Sequence, residues 1–428
     1  MLSDLIHWLS YRSWNEVLLL LVGLMLLDGP RYCLATTCMC LYDWVADTLN
    51  PKRGQEEYDH CPSVCVVIAG LNESEVVAAT IESVVGTYPR LEVLVIDDGS
   101  TDGMSAAARP YMLAHPEIVR VITRPWRGGK SSALNISLSH TKAEVLVAVD
   151  ADSQLEPNSL WEIVQPFKDE TIGVVSATVC VRNAFTNLCT WFQAVEYLQS
   201  IFIGRKAAAM LQVLPIASGA FAAYRRELSE RLRGWDVGPG EDLDMVIRIR
   251  KLGYRIAFAQ YAICHTEVPT KWKALFKQRR RWEGDGPVRH ILRKHNDIAN
   301  PLHKNFMLTN FFTFLDNVTF NLLCGYGMVA WLVYMVMQPS GLGMEPYTWL
   351  TIYAATVAAE ILPLVALMYY SPNRKRDGIL ALAIPLMPIY RLGLLILRIY
   401  ANTCEIVYRK SFYEAHVPTH VANVTWRW

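Results

Sequence analysis

The sequence predicts an α/β domain, built on a mostly parallel sheet with helices on both faces, set between α-helical membrane segments. Three observations predict it. Between residues 63 and 295, short β-branched runs alternate with helical patterns, as strand–helix–strand units do. Long apolar runs crowd the two ends of the chain. Acidic pairs stand where two of the strands end. Of 428 residues, 52% are apolar and only 19% are charged, and the mean hydropathy is positive at +0.17. That content excludes a disordered chain. Its concentration in long runs argues against an ordinary water-soluble enzyme. The 41 Lys and Arg nearly cancel the 40 Asp and Glu, so no nucleic-acid partner is expected from bulk electrostatics.

Residues 1–50 form an N-terminal membrane segment. The runs 17–27 and 32–42 are each too short to cross a bilayer core, which needs about 20 residues. Joined, they make one span kinked at Pro30, with Asp28 and Arg31 placed to neutralise each other; an interfacial helix followed by a short span is the alternative. No signal peptide is expected, because no small-residue cleavage site follows the apolar stretch. Residues 51–62 are a polar linker. The ten cysteines show no paired CxxC spacing and read as reduced, mostly buried thiols facing the cytosol.

Within the middle domain, 63–295, the expected strands are Ser63–Ala69, Leu91–Ile96, Ile118–Thr123, Val145–Val149 and Ile172–Thr178. Helices are expected over Glu73–Gly86, Thr101–His115 and Lys130–His140. Ligands of such sheets bind at the carboxyl ends of the strands. Asp97-Asp98-Gly99-Ser100 and Asp150-Ala151-Asp152-Ser153 stand there. Each Asp alone could cap the next helix; two pairs on one sheet point to a shared Mg²⁺ or Mn²⁺ and a diphosphate. Asp150-x-Asp152 is read as extended backbone, with one carboxylate for the pocket and the other for the cation. There is no P-loop and no Gly-x-Gly-x-x-Gly after the first strand, which argues against an ATPase or a dinucleotide oxidoreductase. Gly240-Glu241-Asp242-Leu243-Asp244 opens an amphipathic helix closed by Gly253; acids there also serve as dipole partners. In KWKALFKQRRRWEGD, Gln278, Arg281 and Trp282 share a helical face. The stretch suits a membrane surface, and its amide, guanidinium and indole also suit a sugar diphosphate.

Residues 296–410 form a second membrane region. The run 305–337 is long enough for an interfacial helix plus a span, and spans follow at 346–370 and 379–400. Three bases at 371–377 mark that loop, and with it the middle domain, as cytoplasmic. Arg391, Arg398 and Glu405 recur every seven residues, a stripe suited to an interfacial helix. Asn310, Thr313, Asn317, Asn321 and Cys324 share one face, either gluing helices together or lining a pore for a hydroxyl-rich passenger. Residues 411–428 are a tail.

The ordered set Asn72-Glu73, Asp97-Asp98-Gly99-Ser100, Gly129-Lys130 with Ala133-Leu134-Asn135, Asp150-x-Asp152, Ser218-Gly219, Glu241-Asp242 and Gln278-x-x-Arg281-Trp282 resembles family 2 of the inverting glycosyltransferases. More narrowly, it resembles the membrane-integrated processive synthases of poly-N-acetylglucosamine, hyaluronan, chitin oligosaccharides and cellulose. The resemblance implies a GT-A fold, a UDP-sugar donor and a growing glycan acceptor. It implies a nucleotide pocket of Asn72, Glu73, Asp97, Asp98, Lys130 and Asp150, with the metal on Asp152. Ser218 and Gly219 would border the acceptor, and Trp282 would stack on its end. Gln278 and Arg281 would stabilise the departing UDP. The catalytic pair would be Glu241-Asp242, with Asp242 the general base and Glu241 and Asp244 the neighbours to be ruled out. It implies a multi-pass protein of the plasma or inner membrane, embedded in the lipid bilayer, with a homo-oligomer or accessory export subunits as further partners. With 23 residues after Glu405, no C-terminal regulatory module is expected; Thr425-Trp426 would act at the active-site mouth. Arg279 and Arg280 would address lipid headgroups. A non-processive transferase making a lipid-linked sugar would share the strand-tip acids but not Gln278-x-x-Arg281-Trp282. A non-enzymatic channel would explain the spans but not the acids.

Overall fold

Each expected strand folds as one, and the alternation of side chains along it explains why both faces are covered. In the computed structural model, which describes residues 7–49, 58–236, 238, 240–338, 340–409 and 418, β1 (Val64–Gly70), β2 (Leu91–Asp97), β3 (Val119–Thr123) and β4 (Val145–Asp150) pair in parallel. Val64, Val66, Ile68, Val93, Val95, Val147 and Val149 bury on one face. Cys65, Val67, Leu94, Ile96, Leu146 and Ala148 bury on the other, as period-2 side chains do in a sheet covered on both sides.

The sheet continues beyond the expected strands. β5 (Gln154–Leu155), β6 (Ile172–Val181), β7 (Phe221–Arg225) and β8 (Arg255–Thr266) complete an eight-stranded order β3-β2-β1-β4-β7-β6-β8-β5. β7 runs antiparallel between β4 and β6, and β5 runs antiparallel to β8. The other strands share one direction, so the sheet is mixed but mostly parallel. The first crossover helix is shorter than expected, Val77–Glu82. Asn72, at φ 59°, turns the chain out of β1, and Glu73 stays in that turn. Met104–Ala114 and Lys130–His140 follow the expected helices closely.

Near the N-terminus the described residues include the helices Trp14–Met25 and Asp28–Leu49. The break falls at Leu26–Leu27, not at Pro30. Pro30 lies in the first turn of the second helix, where its missing N–H costs nothing. The side chains of Asp28 and Arg31 lie outside the described residues. Three later helices are long and apolar enough to cross a membrane: Leu308–Met337, Pro346–Tyr370 and Arg374–Tyr408. The first is one continuous helix over most of the run 305–337.

The seven-residue stripe faces protein. Arg391 donates to Glu360 Oε2 (3.1 Å) and Gln199 Oε1 (2.7 Å), and Gln199 donates to Glu360 Oε2 (2.7 Å). Arg398 pairs with Glu283 and Glu405 with Arg293. Charges carried into an apolar layer are retained where each meets a partner, so the helix is seamed to the chain by ion pairs. The polar face of Leu308–Met337 is likewise turned inward. Arg250 donates to Asn310 Oδ1 (3.0 Å), Asn321 to Asn317 Oδ1 (3.0 Å) and Asn402 to the Asn321 carbonyl (2.8 Å). All ten cysteines are free, with Cys65, Cys180, Cys189 and Cys264 buried. Apart from Pro418, the tail 411–428, with its Thr425-Trp426, lies outside the described residues.

Candidate active site

Strand register assembles the site. β1 lies between β2 and β4, pairing Gly70 with Asp97 and Ala69 with Asp150. The two acidic tips therefore flank the end of β1. Antiparallel β7 pairs Phe221 with Val149, and Asp150 N donates to the Ala220 carbonyl (3.2 Å). That pairing delivers Ser218 and Gly219 to the tip of β4.

The tip of β2 is closed. Asp97 accepts from the amides of Ser100 (2.8 Å) and Ser105 (3.2 Å) and from the Ser105 hydroxyl. Burial raises its carboxyl, but these donors outweigh that and hold it below the usual range. Asp98 accepts from Arg124 (2.6 Å) and from the amides of Gly128 (2.9 Å) and Gly129 (2.7 Å). The loop before Lys130–His140 is thereby wrapped around one carboxylate. A Cβ on Gly99, at φ +84°, would stand 2.8 Å from the Trp126–Arg127 backbone, so no other residue fits that approach. Asn72 takes part through its side-chain oxygen, which accepts from Thr101 N (2.9 Å).

The tip of β4 is charged and open. Ser153 N donates back to the Asp150 carbonyl (3.0 Å), so Asp150–Ser153 is a turn and not the extended Asp-x-Asp the sequence suggested. Lys130 Nζ donates to Asp150 and to the Gly219 carbonyl (3.0 Å), and lies 3.8 Å from Glu241. Burial disfavours the ammonium, yet Asp150, Glu241 and Asp242 hold its pKa above the ordinary value. Asp152, which accepts from the Ser153 hydroxyl at 3.3 Å, is raised by burial and by Asp150. Glu73 is pushed up to about 7 by burial, then by Asp152, Asp150 and Asp102. Hard carboxylate oxygens whose ionised forms repel one another are a donor set that a divalent cation fits.

Glu241–Lys251 is the helix that completes the site, entered through Gly240 at φ 75°. Asp242 Oδ2 accepts from Gly219 N (3.1 Å), and Oδ1 from Leu243 N (2.8 Å). A Cβ at Gly219 would meet Lys130 Nζ at 2.9 Å and Asp242 Oδ2 at 3.4 Å, so the backbone here lies directly against both charged groups. Burial pushes the Glu241 carboxyl up to about 7, with Lys130 opposing and Asp242 adding to the rise. Asp244 is different. It is buried against His295 (2.8 Å), Lys294 (2.6 Å) and Arg248 (2.9 Å). Burial raises its carboxyl, but those partners hold it far below the carboxylate range. Asp244, His290 and His295 have the spacing of a metal site; two cationic side chains already neutralise the carboxylate, which makes it an anchor for the helix.

Gln278, Arg281 and Trp282 stand on the helix Trp272–Gly284, with Trp282 exposed. Among the described residues no hydrogen bond ties these three to the strand-tip acids. Arg279 does not address lipid headgroups: it is buried and pairs with Glu196 at 2.8 Å. Sequence reasoning missed Arg124 and Gly128. The signal existed, because β2–β3 register sets Thr123 opposite Asp97 and so puts Arg124 beside Asp98.

Acidic strand tips, a half-buried lysine and a helix-borne acid beside a glycine amide thus meet at the carboxyl end of an α/β sheet. The chain belongs to the glycosyltransferase like family 2, whose model matches residues 62–284. It is similar to the probable glycosyltransferase YdaM of Bacillus subtilis, 31% identical over 54% of this chain and 57% of that protein. It is also similar to the hyaluronan synthase of Streptococcus pyogenes serotype M1, 29% identical over 59% of this chain and 63% of that one. The matches thus span under two thirds of these relatives. Among solved structures, the mannosyltransferase PcManGT from Pyrobaculum calidifontis, in complex with GDP-Man and Mn²⁺, superposes with a TM-score of 0.57 at 24% identity, covering 90% of this chain and 99% of that chain. The fold is GT-A-like, and residues 62–284 are a domain of that family.

Proposed function

We propose that the protein is a processive inverting glycosyltransferase that polymerises a UDP-activated hexose or N-acetylhexosamine into a β-linked polysaccharide and passes it across the membrane. The observation that carries the reading is the Asp242 carboxylate held on the Gly219 amide, beside the Lys130–Asp150 pair at the tip of β4. In an inverting transfer the acceptor oxygen bonds to the anomeric carbon as the bond to UDP breaks on the opposite face. Asp242 takes the hydroxyl proton. Asn72, Glu73, Asp97, Asp98, Lys130 and Asp150 shape the nucleotide pocket, and Ser218 and Gly219 border the acceptor. Trp282 stacks on the glycan end, while Gln278 and Arg281 meet the departing diphosphate. Asp152 would hold Mg²⁺ or Mn²⁺, which when bound neutralises diphosphate charge.

The catalytic domain is read as cytoplasmic. Arg376, one of the three bases at 371–377 where the third apolar helix begins, donates to the Val181 carbonyl at the end of β6. Loop and domain therefore share a side, and clustered bases favour the cytoplasm.

A panel of radiolabelled UDP-sugars on purified full-length protein tests the function. Polymer is the expected product, lost in EDTA, restored by Mg²⁺ or Mn²⁺, and absent in Asp152→Asn. A lipid-linked monosaccharide would overturn processivity, and no turnover of any donor would favour a channel. Full activity in excess chelator would remove the metal from Asp152.

Acidity gives a second expectation. With its carboxyl near 7, Glu241 holds its proton below that pH and loses it above. The carboxylate that Glu241 gains above that pH strengthens the hold on Lys130, 3.8 Å away, so kcat/KM climbs as the pH rises through about 7. Glu241→Gln should flatten that limb; an unchanged limb would assign it to another group.

A further inference from the structure

Trp282 does not stand alone on its helix. Arg279, three residues earlier, places its guanidinium carbon 4.5 Å from the centroid of the Trp282 ring and 5.5 Å from that of Tyr197. Arg279 is 7% exposed and Trp282 is 42% exposed. The cation therefore covers one part of the indole from the protein side, and the ring remains open elsewhere. Arg279 is held in turn. Its NH2 donates to Glu196 Oε2 (2.8 Å), and the same oxygen accepts from the Tyr390 hydroxyl (2.7 Å). Tyr390 belongs to the apolar helix Arg374–Tyr408 and stacks on Phe192 at 5.1 Å. Three elements thus meet at one guanidinium: the Trp272–Gly284 helix, the Leu188–Tyr197 helix through Glu196 and Tyr197, and the third apolar helix through Tyr390.

We propose that Arg279 is a positioning residue for the acceptor platform: stacked against Trp282 and anchored by Glu196 and Tyr390, it fixes the indole in the orientation that receives the glycan end. The inference rests on the reading of Trp282 as that platform. A planar guanidinium suits the task because it stacks on the ring while its edge donates to a carboxylate; an ammonium does only the second. A ring free to change rotamer would release the glycan more often between additions. Its loss would appear in product length and leave the donor site alone.

The experiment compares Arg279→Met, Arg279→Lys, Trp282→Ala and the Arg279→Met/Trp282→Ala double variant in full-length, membrane-inserted protein. It reads polymer length on gels and the KM for the UDP-sugar that wild type turns over. Arg279→Met is expected to shorten the product roughly three- to thirty-fold, with donor KM within about two-fold. Arg279→Lys retains the charge for Glu196, and so the fold, yet should shorten the product too. The double variant should be no shorter than Trp282→Ala, because a residue acting through Trp282 has no effect once the ring is gone. Full-length polymer from Arg279→Lys, or shortening that adds to that of Trp282→Ala, would overturn the proposal while the platform reading stands. Full-length polymer from Trp282→Ala itself would overturn the platform reading, and the proposal with it.

Discussion

Asp242→Asn is expected to lower sugar transfer by about 10²–10⁴-fold, the gain a positioned carboxylate gives by accepting a proton in the transition state. UDP-sugar affinity should stay within a few-fold of wild type, because the amide keeps the side chain's shape and its contact with Gly219 N. The helix start supports the base as well: Asp242 is the second residue of Glu241–Lys251, where the dipole favours an anion. Asp244→Asn is the control. Asp244 is ion-paired and buried, and neutralising it leaves Lys294 and Arg248 short of a partner. Breaking such a pair typically costs about 3–5 kcal/mol, so this variant should lose stability or expression before it loses chemistry. Measuring thermal unfolding and single-turnover transfer on both variants separates the two roles. Normal polymerisation by Asp242→Asn with a dead, well-folded Asp244→Asn would move the base by two residues.

Trp282→Ala is expected to abolish polymer or reduce it to short oligomers while UDP binding and membrane insertion persist. The indole is large, exposed and borne on a helix that packs beside the third apolar helix, where a sugar ring can lie against it. A role confined to the membrane surface predicts the opposite pattern, with poor insertion and normal chain length. Product length scored on correctly inserted protein decides between them. The result that would sink the platform is wild-type polymer from a fully inserted Trp282→Ala.

Much of the site was legible because it depends on neighbours in the chain. Strand tips ending in Asp97-Asp98 and Asp150, the glycine before Lys130 and the glycine before Glu241 all lie within a few residues of the elements that carry them. Periodicity located those elements, and turn chemistry located their ends. Strands β7 and β8 were not legible. β7 is a short FAAYR segment with little alternation, and it is a strand because β4 and β6 stand on either side of it. The helix expected over Glu73–Gly86 shrank because Asn72 turns the chain, and that turn is closed by Ser100 and Thr101 from the next crossover.

Composition, periodicity and the order of the motifs determined the class of the sheet, the three C-terminal apolar helices and the acids that surround the site. Those properties follow from residue types and short spacings, which each segment carries by itself. Tertiary structure decided which charges are compensated. Arg279 looked like a lipid-facing base in sequence, yet it meets Glu196 83 residues away, and Glu196 meets Tyr390 194 residues away. Arg391, read as part of an interfacial stripe, reaches Gln199 across 192 residues. It also decided that Asp242 lies on the Gly219 amide while Asp244, two residues on, is locked by His295 and Lys294. The physical reason is that desolvation and ion pairing depend on what surrounds a group in space, and for a buried charge those neighbours come from distant parts of the chain.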